Sequence, residues 1–338
     1  MTTDHGRKQM KITMKRRAAV FGLALLTAAG LVGGAVAQDK PTLKFSAVFS
    51  DADIRAEAMR SLQEALAEDF AFEPHFGATL FKQGTELVAL QRGNLETGIV
   101  APQDIAKQIP EWSILTAAYL FRDADHLKKF FASDAGQEMT KMAEEKLGVH
   151  IIAPVYFGTR QVNLKPEKEI KTPADMAGVK LRMPGGDAWQ FLGTALGANP
   201  TPMAYSEVYT GLQTGAIDGQ DNPLPNDYNM KFYEVTSQIV LTSHLIGYDL
   251  FVVSNKIWDD LTPEQREELV TEVSKAIDWS TAKHLEEEGK LADFFKDQGL
   301  KVYKPDVEAF RKYAQDMYLN SDYAKDWPAG MLDKINAL

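Results

Sequence analysis

Residues 262–298 read TPEQREELVTEVSKAIDWSTAKHLEEEGKLADFFKDQ. After Pro263 the stretch contains no proline and a single glycine, Gly289. Thr262 offers an N-cap hydroxyl, Pro263 suits the first helical position, and Glu264 sets an acid against the positive helix end. The pattern predicts one helix over Pro263–Gln298, and at 1.5 Å per residue it would reach ~54 Å. That exceeds the ~30 Å diameter of a small domain, so such a helix should lie across two lobes. The competing reading is two helices broken at Gly289. Glu286, Glu287 and Glu288 read as a solvated face, and His284 as an exposed position.

Outward from this helix, short apolar runs alternate with amphipathic stretches, the pattern of an α/β protein. Thr42–Val48, Thr97–Ala101, Val149–Val155, Val179–Met183 and Leu250–Ser254 read as buried strands. Ile54–Phe70 carries Ile54, Ala58, Leu62, Ala65 and Leu66 at helical spacing. Leu127–Leu147 and Ala188–Leu196 also read as helices. The 338 residues suffice for two domains with their own cores. There is no internal repeat and no Pro/Ser-rich linker, so the lobes should be joined by strands that cross between them.

The first 37 residues stand apart. Arg7, Lys8, Lys11, Lys15, Arg16 and Arg17 form a basic leader, Ala18–Val36 is apolar, and Ala35-Val36-Ala37 ends it with small residues. This is the layout of a cleaved export signal, predicting a mature start near Gln38. An uncleaved anchor is the alternative, since a membrane span needs ~20 residues. The twin arginine leaves the export route open. Loss of six basic residues and one acid moves the formal net charge from −10 to −15. Such a surface disfavours nucleic acid, and an anionic ligand can bind only where local arginines win inside the ~8 Å screening length.

The chain lacks cysteine, which removes disulfides, thiolate metal sites and thiol nucleophiles. It also lacks GxSxG, GxGxxG, P-loop, HExxH and EF-hand patterns. Asp218-Gly219-Gln220-Asp221-Asn222 has oxygen ligands without calcium-loop spacing. No metal or cofactor is expected. The arginines carry more. Arg160 follows an apolar strand in Gly158-Thr159-Arg160-Gln161. In Val179–Met183, alternation turns Lys180 and Arg182 to the face opposite Val179, Leu181 and Met183. An arginine at a strand end can offer its planar fork to a carboxylate, and an ordinary salt bridge is the equal alternative.

Several blocks then resemble a known family: GVKLRMP at 178–184, NPTPMAYSEVYTGLQTGAIDGQDNP at 199–223, KFYEV at 231–235, GTELVALQRGNLETG at 84–98, and LTPEQREEL opening the long helix. Together they closely resemble the substrate-binding proteins of tripartite ATP-independent periplasmic (TRAP) transporters, of the C4-dicarboxylate/sialic-acid receptor type. The resemblance implies a type II-like periplasmic binding protein fold: two α/β lobes, crossing strands, a long helix over both, and closure around a small organic anion. By residue, Arg182 matches the arginine that pairs with the ligand carboxylate, and Arg160 a second arginine of the sialic-acid branch. Tyr205 matches the aromatic position and Asn222 the asparagine before proline. Departures fall at Val48, Pro102 and Ile105, where that branch has polar or charged residues, so sialic acid is not expected. Glu86 pairs insecurely with a family position because its block is shorter. Gln103, Asp187 and Asn226 become polar candidates nearby.

Other residues stay two-sided. Trp189 either stacks on a ligand ring or packs in the core. Tyr248 and Asp249 mark either a ligand contact or a structural hinge. His244 reads as structural, and Asp221 either binds a ligand hydroxyl or serves in capping or inter-lobe pairing. The expected ligand set is Arg182, Arg160, Asn222, Tyr205, Gln103, Glu86, Asp187, Trp189 and Tyr248. The expected lobes are 38–157 plus 249–286, and 158–248 plus 287–338. The resulting expectation is an exported, non-catalytic, monomeric receptor that delivers an organic acid (a sugar acid, keto or aromatic acid, or dicarboxylate) to large and small TRAP membrane subunits. The rivals are a sensor-linked receptor of the same fold and an exported enzyme acting on a carboxylate.

Overall fold

The computed structural model describes residues 40–338; the leader and its cleavage after Ala37 lie outside the described residues. Among the described residues the strands are β1 (Thr42–Ser46), β2 (Ala71–His75), β3 (Thr97–Val100), β4 (Val149–Leu164), β5 (Lys180–Met183), β6 (Asn199–Pro202), β7 (Gly219–Pro223), β8 (Gln238–Ser254) and β9 (Lys301–Tyr303). Their order is β2-β1-β3-β8-β4-β7-β5-β6, with β9 beside β8. β4 and β8 run antiparallel along their whole lengths and serve both lobes. The C-terminal end of β8 pairs with β3, and through it β1 and β2 complete one lobe. The C-terminal end of β4 pairs with β7, then β5 and β6, while β9 pairs with the start of β8; these form the other.

The crossing is marked by breaks in register at Ile151/Ala153, Tyr156/Gly158 and Arg160/Val162. Gly158 sits there at φ +119°, opposite Gly247. A Cβ on Gly247 would lie 2.7 Å from the Gly158 carbonyl oxygen, and one on Gly158 would meet Pro223 and Glu288. The two strands can approach this closely because neither carries a side chain at that point.

The long helix is continuous over Pro263–Asp297, with no break at Gly289. Thr262 Oγ1 accepts from Gln265 N at 3.2 Å and Gln265 Oε1 accepts from Thr262 N at 3.1 Å, a complete capping box. Its buried stripe passes through Leu269, Val273, Ile277, Leu291 and Phe295. Leu269, Val273 and Ile277 pack on the first lobe with Phe45, Met59 and Phe251. Leu291 and Phe295 pack on the second with Leu224, Ile239 and Leu300. The helix therefore lies across both lobes.

Two expectations about its faces fail. His284 is fully buried on the same stripe; its Nδ1–H donates to the Ser280 carbonyl at 2.8 Å. Burial lowers its pKa to about 4, so it stays neutral. Glu288 is no solvated residue either. Its carboxylate accepts from the Tyr156 hydroxyl and the Thr159 N–H, tying the helix to β4 at the crossing.

Other boundaries move for local reasons. The helix expected over 127–147 is two, Ala124–Ala132 and Asp134–Leu147. Ser133 ends the first and caps the second, its Oγ accepting from Gly136 N. The helix from Ile54 ends at Ala65. No described helix is long and apolar enough to cross a membrane.

Candidate functional site

Between the lobes lies a cavity walled by strand ends and the turns that follow them, where side chains are presented without strand partners. From the first lobe it is lined by Val48 and Phe49 after β1, Arg55, the turn Gln83–Gly84 with Glu86, and Asp104 beyond β3. From the second it is lined by Phe157 and Arg160 of β4, Arg182 of β5, Trp189, Tyr205, Asn222 and Asn226. Asp249 of β8 closes the crossing side. The two walls touch. Gln83 Oε1 accepts from Arg182 Nη2 and the Tyr205 N–H. Lys107 lies over Gly186, where a Cβ would be 2.6 Å from its Cε.

Three arginines line the cavity, and their partners distinguish them. Arg55, at the start of helix Ile54–Ala65, is bound to Asp53 through Nε at 2.9 Å and Nη2 at 2.8 Å, and to Asp249 through Nη1 at 3.1 Å. It is held between the rings of Phe49 and Phe157, each 4.3 Å from its Cζ. Arg160, 3% exposed, donates to both carboxylate oxygens of Asp221 and to its carbonyl, and lies over the Trp189 ring. Burial pushes the Asp221 carboxyl up, but Arg160 and the 3.0 Å bond to His244 Nε2 reverse this and hold it below the usual range. Burial lowers the His244 pKa and so favours the neutral ring; in that form Nε2–H donates to Asp221 and Nδ1 accepts from the Thr242 hydroxyl.

Arg182 differs. It is 1% exposed, its Nε donates to the Met203 carbonyl at 2.9 Å and its Nη2 to Gln83 at 3.2 Å. Neither acceptor is charged, and among the described residues no carboxylate forms an ion pair with it. Burial lowers its pKa to about 10, only partly opposed by the more distant Asp221. The cavity therefore holds one desolvated cation without a counter-ion, where a carboxylate's two oxygens can meet the remaining N–H groups of the fork.

The opposite wall carries acids. Glu86 is 3% exposed at the first turn of helix Glu86–Arg92, and burial raises its pKa to about 7. Asp249 is raised by burial to about 6, against the pull of Arg55. Burial also raises Asp104 despite its 2.6 Å ion pair with Lys107. Beside Asn222 lies a buried polar cluster: Asn222 donates to Gln220, and Gln220 to Asp227 at 2.7 Å. Burial raises Asp227 well above the usual carboxyl range. Asn226 Nδ2 donates to the Tyr205 hydroxyl at 3.2 Å, and its Oδ1 is buried without a partner among the described residues.

The structure thus brings Arg182, Arg160, Asn222, Tyr205, Glu86 and Trp189 to one cavity. Three other expected residues lie elsewhere. Gln103 is buried behind the cavity wall, in a small void it shares with Trp189, Arg160 and Tyr248. Tyr248 donates to the Leu115 carbonyl at 3.0 Å and packs edge-on to Phe121 and Phe131, which makes it a core residue. Asp187 is exposed at the start of helix Asp187–Ala195, outside the cavity lining. Arg55 and Gln83 were not foreseen. A basic residue in a first helical turn, against the helix dipole, is the one signal that marks Arg55.

A family model for bacterial extracellular solute-binding protein, family 7 (DctP), matches residues 45–325. The sialic acid-binding periplasmic protein of Vibrio cholerae is 31% identical over 306 residues, 89% of this chain and 93% of that protein. The 2,3-diketo-L-gulonate-binding periplasmic protein of Escherichia coli is 27% identical over 326 residues, 94% and 97% of the two chains. Among solved structures, a TRAP periplasmic solute-binding protein from Roseobacter denitrificans with bound 3-deoxy-D-manno-oct-2-ulosonic acid is 44% identical. It superposes with a TM-score of 0.87, covering 88% of this chain and 99% of that one.

Proposed function

Since the chain belongs to family 7 of the bacterial extracellular solute-binding proteins, the periplasmic receptors of TRAP transporters, we propose that its ligand is a polyhydroxylated monocarboxylate of the 3-deoxy-2-ulosonic acid type. The observation that carries this is Arg182: one buried guanidinium lacks a counter-ion, so the site accommodates one carboxylate. Glu86, Asp104 and Asp249 line the same cavity. When ionised they would repel a second ligand carboxylate, which disfavours dicarboxylates, and their oxygens accept hydrogen bonds from hydroxyl groups. The ligand bound by the 44%-identical relative, an acid sugar, has this chemistry.

In this reading Arg182 holds the carboxylate and Arg160, fixed by Asp221, adds a donor beside it. Asn222 and Tyr205 complete that end, Trp189 supplies an apolar wall, and Glu86 reads hydroxyls. Gln103, Tyr248 and Asp187 drop out of the contact set. We assign the lobes to 38–157 plus 249–286 and 158–248 plus 287–338, with the first boundary in β4 at the register break beside Gly158. The receptor acts without chemistry of its own, is exported to the periplasm with its leader cleaved near Ala37/Gln38, and hands its cargo to the large and small membrane subunits.

The test is calorimetric titration of the protein lacking its leader with 3-deoxy-D-manno-oct-2-ulosonic acid (Kdo), with succinate and N-acetylneuraminic acid as comparators. Kdo should bind at least tenfold more tightly than either, a difference of ~1.4 kcal/mol. Tighter binding of succinate would overturn the monocarboxylate reading. Recovery of unaltered Kdo after long incubation separates receptor from enzyme.

A further inference from the structure

Gln83 is half-buried in the turn ahead of helix Glu86–Arg92, on the first lobe. Its Oε1 is shared by two donors of the other lobe, Arg182 Nη2 at 3.2 Å and the Tyr205 N–H at 2.9 Å. Both bonds cross the cleft and break if the lobes part. We propose that Gln83 is a specificity-determining latch: its uncharged amide oxygen locks the closed cleft onto Arg182 while leaving the guanidinium charge for the ligand.

This rests on the reading of Arg182 as the carboxylate anchor. The chemistry of the alternatives shows why the residue type matters. An apolar side chain at position 83 would leave the Tyr205 N–H without this acceptor in a closed cleft. An acid there would satisfy both donors, but it would also neutralise Arg182 from within the chain and occupy the fork as a ligand carboxylate does. An amide satisfies both donors and adds no charge. A guanidinium has five N–H donors. One on Arg182 goes to Met203 and one to Gln83, so the latch and a ligand carboxylate can be held together. The first lobe is thus sensed through the same side chain that binds the anion, which couples closure to recognition.

The experiment compares wild type, Gln83→Glu, Gln83→Ala and the double variant Gln83→Glu/Arg182→Met. Kdo affinity and dissociation rate are read by calorimetry and stopped flow, and the ligand-free radius of gyration by solution scattering. In Gln83→Glu, Kdo affinity should fall ~100-fold or more, because a charge-assisted internal pair must be displaced. The ligand-free Gln83→Glu protein should take the smaller radius that wild type reaches only with saturating Kdo. Arg182→Met in that background should abolish the compaction. In Gln83→Ala, Kdo should dissociate ~5- to 50-fold faster, as expected when bonds made only in the closed complex are lost.

Gln83→Glu binding within threefold of wild type with an unchanged ligand-free radius would overturn the latch. So would Gln83→Ala releasing Kdo at the wild-type rate, a result available even if Gln83→Glu fails to fold. If wild type itself ignores Kdo, the ligand reading fails, and the compaction of ligand-free Gln83→Glu with its reversal by Arg182→Met still decides the latch.

Discussion

Replacing Arg182 with methionine should have opposite effects on folding and on binding. Arg182 is 1% exposed and its pKa is lowered from 12.5 to about 10 by burial. At 1.36 kcal/mol per pKa unit, the charged form is held in the native protein at a cost of about 3 kcal/mol. Methionine keeps much of the stem's packing and removes the charge. The Met203 carbonyl and Gln83 Oε1 each lose a charged donor, although Gln83 keeps the Tyr205 N–H, and these losses offset ~2–3 kcal/mol. The net expectation is a ligand-free protein ~0–1 kcal/mol more stable, a rise of up to ~3 °C in Tm. Binding should move the other way, since a ligand carboxylate buried without its partner forfeits ~2–5 kcal/mol, or ~30-fold to several thousand-fold in affinity. Differential scanning calorimetry without ligand and titration with Kdo read the two effects. A variant that melts below wild type would show that the buried charge is compensated, and one that binds within threefold would show that it is not the anchor.

Arg160→Met should behave differently, because it strips the counter-ion from the fully buried Asp221. Breaking such a pair costs ~3–5 kcal/mol of folding stability, seen as a lowered Tm even without ligand, and Asp221→Asn in the same chain should restore part of it. Glu86 makes stability depend on pH. Its folded pKa of about 7 lies above its ordinary 4.5, so the folded state holds the proton more tightly. Its contribution is complete below pH 4.5 and is lost as pH rises through 7, about 3 kcal/mol in all. Thermal melts of Glu86→Gln against wild type from pH 4.5 to 8 should therefore diverge in favour of the variant at the alkaline end; parallel profiles would place the Glu86 carboxylate in water.

Local signals carried the elements whose patterning is complete within a short window. Thr262-Pro263 and the long glycine-poor run announced the spanning helix, and alternation in Lys180–Met183 placed Arg182. Apolar pattern marks β4 and β8 over less than half their length. Beyond Val155 and before Leu250 these strands carry glycine and polar residues such as Thr159, Gln161, Asn163 and Ser243. Their burial is set by the crossing and the cavity rather than by apolar pattern. The site was legible where family blocks are dense, at Arg182, Tyr205 and Asn222. It was illegible where function depends on pairs far apart in the chain. Arg55 meets Asp249 across 194 positions and Gln83 meets Tyr205 across 122, and no periodicity encodes either. The faces of the long helix misled for a similar reason. Glu288 is indistinguishable in sequence from Glu286 and Glu287, yet only the fold brings Tyr156 to it.

The two crossing strands also fix the order in which the molecule can be made. β3 pairs with Leu250–Val253, some 150 residues later in the chain, and β1 reaches the rest of the sheet only through β3. A chain emerging from its N-terminus therefore carries half a sheet with an open edge until β8 arrives. It stays unsealed until the helix that follows has been added. Contacts of such long sequence separation fold slowly, because the intervening loop must be closed before any of them forms. Neither lobe is complete without segments interleaved from the other's stretch of sequence, so melting should occur as one cooperative event rather than lobe by lobe. The nascent protein, by the same connectivity, cannot close its sheet until Leu250–Val253 has been made.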